Sequence, residues 1–524
     1  MTTATAGPSK EQKYDRQLRL WQAHGQKALE TANILVINAC ATSTETLKNL
    51  VLPGIGSFTI VDGKTVDGSD VGNNFFLEAD SIGSNRGLMA TALLGELNAD
   101  VRGSSVQVNG DLQRTLTSDF VSGFSLVIAS QLGTADATHL ATTCRALKIP
   151  LMLVRAYGFV GHLRIDTEEH SVVESHPDSI MDLRLDCPFP ELVDYCNSFD
   201  LPSLENMPFA HVPYVVILSK CLQEWRAKNN GSLPQTSVER TAFKSSISAL
   251  VRPGVEKENF DEALVAAFRA ASPTTIPGNI ASILKEAKTK PITSESSSFW
   301  ILARAVSEFV DAEGKLPLAG AVPDMKADTE SFVKLQTIFR DRAHADAVKV
   351  HTIATQLAGT TITPPTFEET ARFCKNARTL NIVRTSSLES ELAEPYAKAG
   401  EIARNAEDLE SPIHLYLALR AVDAFYAEHM RYPGYHAEEV ETDIGLLKKT
   451  ATNLLTRIGL PSSTISDDLV HEMVRAGASE LHTMASFMGG VCAQEAIKLI
   501  TGQYVPLNNT FVYNGMTSVG GTFE

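Results

Sequence analysis

The chain reads as an α/β fold, a mostly parallel sheet flanked by helices, assembled from both ends of the sequence around a large, mainly helical insertion. Three observations predict it. Short apolar runs alternate with helical periodicities over residues 11–165. Helical patterns dominate residues 166–478, and strand-and-helix texture returns over residues 479–524. Residues 1–10 are small and polar, with no apolar core, and are expected to form a flexible tail rather than a signal peptide.

The elements follow in order. Residues 34–37 form a short apolar run suited to a buried parallel strand, and a polar loop over 38–43 comes next. A helix then carries Leu47, Leu50 and Val51 on one face, with Thr42 and Glu45 spaced as a capping box and Pro53-Gly54 as its stop. A second strand over 58–61 ends on Asp62, and a helix over 86–97 repeats Met89, Leu93 and Leu97. Further strands are expected over 105–108, 126–129 and 151–154. In the insertion, helices are expected over 214–228 after Pro213, from a Thr236/Glu239 capping box, over 299–310, over 328–347 and over 413–426. An apolar helix over 484–500, interrupted at Gly489-Gly490 and ended by Gly502, leads to a last strand over 510–513.

Composition excludes several classes. Hydrophobic residues make up 44% and charged residues 21%, the profile of a packed chain and not of a disordered one. The formal net charge of -16, with no Lys/Arg cluster, argues against nucleic-acid binding. No apolar run is long enough to cross a membrane. The 7 cysteines are scattered and never spaced C-x-x-C, so a disulfide framework or structural zinc is not expected, and a reducing cytoplasmic or nuclear setting is. The acidic balance fits either basic protein partners or plain solubility.

The first strand–loop–helix unit is where a dinucleotide or ATP binder places G-x-G-x-x-G, whose bare backbone lets phosphates approach the helix N-terminus. Here those positions are Asn38, Cys40 and Ser43. Asp62 stands where an acidic residue grips a ribose, although it also serves simply to end its strand. The scaffold is Rossmann-like with a degenerate nucleotide site.

Several runs carry a resemblance. Lys13-Tyr14-Asp15-Arg16-Gln17-Leu18-Arg19-Leu20-Trp21 resembles the opening signature of activating enzymes for ubiquitin-like modifiers. Residues 47–56, together with Gly489-Gly490 and the run 493–498, resemble that family's first helix and its late crossover helix, in the ThiF/MoeB-type adenylation fold. Residues 174–178, 182–186, 298–305 and Pro323-Asp324-Met325 are similar to one branch, the regulatory subunits of the heterodimeric neddylation-activating enzyme, which handles the Nedd/Rub modifier and is related to the amyloid-precursor-binding protein of animals. The resemblance covers nearly the whole chain.

It implies a non-catalytic subunit that works only as a heterodimer. The catalytic partner would bind ATP and Mg²⁺, adenylate the Nedd/Rub modifier and carry it as a thioester, leading to cullin neddylation through a conjugating enzyme met indirectly. This chain would bind no cofactor or metal itself. In the family's Asn-Arg-Gln-Phe run the arginine is missing, the aligned stretch including Asn73 and Asn74, and Gln131 stands where a metal-binding aspartate is expected. Arg86 is the one candidate to replace a lysine near phosphates. Arg16 matches an arginine that reaches across the dimer to the partner's ATP; an ion pair with Asp15 or Glu11 is the alternative. No cysteine is followed by threonine, as a thioester-forming one would be, and Cys221 and Cys492 fall within helical patterns as core. The insertion 166–478 is expected to resemble half of a catalytic-cysteine domain without the cysteine.

The stretch around Asp324, Met325, Asp328, Phe332, Leu335 and Gln336 resembles one that touches the catalytic subunit; an ordinary helix start capped by Asp328 is the alternative. The motif at His211 is compatible with a core or capping histidine, and Met484 and Met488 with helix packing. Two other functions stay open: a stand-alone adenylating enzyme of the same fold, and a scaffold or adaptor with no part in catalysis. The subunit assisting activation of SUMO-type modifiers shares the N-terminal signature, but its insertion is much shorter.

Overall fold

The computed structural model of the chain describes residues 10–177, 181–392 and 398–524. Residues 1–9 of the expected tail, and Asp178 of the 174–178 run, lie outside the described residues. Lys10 already opens a short helical turn.

The chain divides into two units, one made of residues up to 172 together with 382–524, the other of residues 173–381. The first unit is built from α1 (Asp15–Thr31), β1 (Asn33–Ile37), α2 (Ala41–Val51), β2 (Ser57–Asp62), α3 (Arg86–Glu96), β3 (Arg102–Gln107), β4 (Leu126–Ala129), α4 (Thr134–Ala146), β5 (Leu151–Tyr157) and β6 (Val160–Asp166). From the C-terminal part come α5 (Ile413–His429), α6 (Val440–Ile458), α7 (Asp467–Ala476), α8 (His482–Thr501), β7 (Thr510–Asn514) and β8 (Val519–Phe523). Its 8-stranded sheet runs β8-β7-β6-β5-β4-β1-β2-β3. The half from β3 to β5 is parallel, with Ile34 beside Phe58 on one side and beside Leu126 on the other. β5 to β8 pair antiparallel.

Why β1 reads as an unbroken apolar run is visible in its packing. Ile34 and Val36 enter one core cluster, while Leu35 and Ile37 enter another with Val127 and Leu140 on the opposite face. α8 packs on α2 at close range because Gly489 has no side chain. A Cβ there would stand 2.7 Å from Glu45 Cβ and 2.9 Å from the Thr46 nitrogen. The glycine pair thus serves close packing, and α8 runs through it without the interruption the sequence suggested. Met484 and Met488 are buried in the same core.

Two sequence expectations change. The N-cap position of α2 is Cys40, whose side chain makes no capping hydrogen bond, so Thr42 and Glu45 form no capping box; Glu45 instead pairs with Lys48 and His482. Residues 382–478 belong with the sheet, not with the insertion, so the unit boundary falls at 381/382 where 478/479 was expected. The reason is a shared core: Leu417, Val422, Leu455 and Val474 of α5–α7 pack with Tyr157, Val160 and Val512 of the sheet.

The second unit is helical. Its helices include Tyr214–Lys228, Ser237–Ser248, Ser298–Glu313 and Thr329–Ala358. Thr236 and Glu239 form the reciprocal capping box the sequence suggested. Pro213 is the N-cap of its helix and not its first residue.

Candidate functional site

The strand order reverses between β1 and β4, and in open α/β sheets the crevice outside the strand ends at such a point is where ligands bind. All six residues of the suspected nucleotide site converge there. Asn38 takes the left-handed conformation, φ 68°, that a glycine would otherwise supply, and its Nδ2 donates to the Ser130 carbonyl at 2.8 Å and to that of Gln131 at 3.5 Å. Gln131 is itself left-handed, φ 53°.

The loop is closed and filled. Ala39 to Thr44 are all buried, none more than 2% exposed. The first helical N–H groups of α2, the place for a phosphate, meet a carboxylate from the far end of the sequence. Glu480 accepts from the Ala41 nitrogen at 2.9 Å and from Thr42 Oγ1 at 2.6 Å. Asn73 Nδ2 donates to the Glu480 carbonyl at 2.9 Å, fastening its backbone. Burial raises the Glu480 carboxyl above its ordinary range, against the pull of its Thr42 and backbone donors.

Asp62 is equally committed. It accepts from the Ala39 nitrogen and the Lys64 nitrogen, each at 2.8 Å, and from Arg86 Nε at 2.7 Å. Arg86 also reaches Asp70 at 3.1 Å. The guanidinium that seemed available for phosphates is therefore locked, from the start of α3, in a buried ion pair with the end of β2. Cys40 lies 3.4 Å from Ser43 Oγ, its thiol pushed up to about 12 by burial and by the nearby Glu480 carboxylate. The residues present do not fit ATP: a phosphate would have to displace Glu480, and a ribose would have to displace Arg86. Among the described residues no group of three or more His, Cys, Asp or Glu is placed to hold a metal ion. Glu480 escaped sequence reasoning because nothing local to it signals a contact with residues 41 and 42.

Arg16 stands differently. Tyr14 is buried, accepts from Asn98 Nδ2 at 3.0 Å and donates to Asp100 at 3.3 Å. Trp21 donates to Gln26 at 3.1 Å, and its carbonyl accepts from Gln503 at 2.9 Å. α1 is thus pinned on both sides of Arg16, whose side chain is exposed. The neighbouring Asp15 pairs with Arg19 at 3.0 Å, so the ion pair offered as the alternative role for Arg16 is not formed with Asp15.

In the second unit the suspected partner-contact stretch divides. Met325 and Leu335 are buried in its core with Phe339, and Phe332 packs partly against it, so the two buried residues present no surface. Asp328 caps the helix Thr329–Ala358 by accepting from the Ser331 nitrogen at 2.8 Å, and its own nitrogen donates to the His211 carbonyl. Asp324, Asp328 and Gln336 are exposed. The His211 ring lies 2.9 Å from the Met207 carbonyl, a local helix-end contact.

All 7 cysteines are free, and every one except Cys187 is buried. Burial pushes Cys196 up to about 11 and Cys144, Cys221, Cys374 and Cys492 up to about 12, which leaves them neutral thiols. The Cys187 thiol donates to Asp186 at 3.2 Å. No helix among the described residues is long and apolar enough to cross a membrane.

Residues 14–523 match the ThiF family. The chain is 46% identical to the NEDD8-activating enzyme E1 regulatory subunit of Xenopus laevis, over 98% of both chains. It is 45% identical to the protein of the same name from Danio rerio, covering 98% of this chain and 99% of that one. It is 39% identical to the NEDD8-activating enzyme E1 regulatory subunit AXR1 of Arabidopsis thaliana, covering 96% and 94%.

Proposed function

The chain belongs to the ThiF family and, within it, to the NEDD8-activating enzyme E1 regulatory subunits, and from that premise we propose that it is the non-catalytic half of a heterodimer. Its catalytic partner binds ATP and Mg²⁺, adenylates the Nedd/Rub modifier and receives it as a thioester; the conjugating enzyme meets this chain only through that partner. The carrying observation is the plugged site. Glu480 occupies the anion position at the start of α2, and Arg86 neutralises Asp62, so the adenylation chemistry is left to the partner.

What this chain adds is position and one cation. The pinned helix α1 holds Arg16 at the surface, where a guanidinium in trans offsets charge on the partner's triphosphate. The unit 173–381 serves as a counterpart of half a catalytic-cysteine domain that supplies shape without a nucleophile: its Cys196, Cys221 and Cys374 are buried, and the part-exposed Cys187 donates to the Asp186 carboxylate and is followed by proline rather than threonine. Free, widely spaced cysteines fit a reducing compartment, cytoplasmic or nuclear.

Equilibrium binding of a non-hydrolysable ATP analogue tests the reading, with the isolated chain, the catalytic subunit and the reconstituted pair as samples. The expected result is no saturable binding to this chain and a single site per heterodimer. Stoichiometric binding to the isolated chain would return it to the stand-alone adenylating enzymes.

A further inference from the structure

A cavity of about 90 Å³ lies in the first unit, beyond the plugged loop, between the ends of β4–β6, α4 and α5. Its walls hold an unusual number of cations: Arg155, Arg164 and Arg420, with the His162 ring among them. Two carboxylates answer them. Asp423 receives Arg155 at 2.6 Å, and Glu391 receives Arg164 at 2.7 Å as well as the Tyr416 hydroxyl.

The balance is uneven. Among the described residues that line it, three guanidinium groups face two carboxylates, leaving one positive charge in excess. Arg420 forms no ion pair among the described residues: its hydrogen bond goes to the Tyr416 hydroxyl at 3.0 Å, which is neutral. Arg164 is 1% exposed, and its Nε has no acceptor among the described residues, although its other nitrogens are taken by Glu391 and by the carbonyls of Ile165 and Ser386. His162 stacks on Tyr416, and burial, followed by the three arginines, holds it down to about 3, so it stays neutral in a positive field. The N-terminus of α4 adds to that field. Its cap is Gly133, which has no side chain to satisfy the first N–H groups, and Thr134 lines the cavity.

Arg420 is partly buried, and Arg164, 1% exposed, leaves a guanidinium nitrogen without an acceptor, an arrangement that is costly until something accepts from it. We infer that this cavity binds a small oxyanion, a carboxylate or a phosphate, held by Arg420, Arg164 Nε and the start of α4. The volume suits a group of a few heavy atoms, and the cavity adjoins the plugged loop through Gln131. Gln131, which marks the place of a lost metal ligand, forms part of its wall and can donate to the same anion.

The test is isothermal titration calorimetry on the full chain with inorganic phosphate in one arm and acetate in the other, both against chloride at equal ionic strength. One saturable site is expected, and the arm that fills it identifies the source as phosphate-like or carboxylate-like. Arg420→Gln should weaken binding about tenfold or more, because a charge-assisted contact is lost. Glu391→Gln should act in the opposite direction and tighten it, since the excess positive charge grows; this second variant decides the matter if Arg420→Gln does not fold. Saturation by neither anion, or affinities that both variants leave unchanged, would overturn the inference.

Discussion

Replacing Arg86 by methionine removes the cation that neutralises Asp62 while keeping much of the apolar stem. Both side chains are buried, Asp62 at 0% and Arg86 at 3% exposure, and the contact is 2.7 Å long. Removing one partner of a buried pair costs about 3–5 kcal/mol, because the other charge is left uncompensated. Asp62 keeps two backbone donors, from Ala39 and Lys64, which places the loss near the lower bound, about 3 kcal/mol. Changing both partners, Asp62→Asn with Arg86→Met, eliminates the fully buried stranded charge and leaves only the partly exposed Asp70 without its cation, so it should recover about half of that. The chain has two units, so a global melt mixes their transitions. Hydrogen exchange read on peptides covering β1, the following loop and β2 reports the opening of this region alone. Unchanged protection in Arg86→Met would refute the claim that this pair locks the loop. A double variant no better than the single would show that the loss is packing and not charge.

Three further outcomes follow from the same geometry. Gly489→Ala forces a Cβ to within 2.7 Å of Glu45 Cβ and should cost about 1–3 kcal/mol, seen as a lower urea midpoint for the sheet unit. Native thiol labelling should modify Cys187 first and the six buried cysteines slowly, with rates for the latter still rising between pH 7 and 10, since burial holds them near 11 or 12; Cys187→Ser should remove the fast phase. Leu335→Ala should cost about 2–5 kcal/mol of stability in the helical unit, whereas Gln336→Ala, at an exposed position, should leave stability alone, as paired chemical denaturation curves would report.

Much of the fold was legible because periodicity and punctuation act locally. β4 and the helix Tyr214–Lys228 fall where their apolar patterns put them. β6 and β8 were not read: Gly161, His162 and Arg164 break the apolar pattern of the first, and the second carries Gly520 and Gly521. The helices 413–476 look like the insertion in composition, and only their shared core with Tyr157, Val160 and Val512 assigns them to the sheet. The loss of the phosphate glycines was visible in Asn38, Cys40 and Ser43, but what replaced the phosphate was not. Glu480 comes from the other end of the chain, and long-range contacts leave no periodic trace. Likewise, Asp328 reads equally as a helix cap and as an interface residue until its hydrogen bond to Ser331 is seen.

The central claim is that this chain is silent alone and completes its partner through Arg16. Modifier-dependent ATP–pyrophosphate exchange measures it most directly, on the isolated chain, the reconstituted heterodimer and the heterodimer carrying Arg16→Ala. The account predicts no exchange from the chain alone, exchange from the pair, and a loss of about 10²-fold or more with Arg16→Ala, the scale of removing one donor from a developing charge. Exchange by the isolated chain would contradict the plugged site, and an Arg16→Ala heterodimer as active as the parent would contradict the contribution in trans.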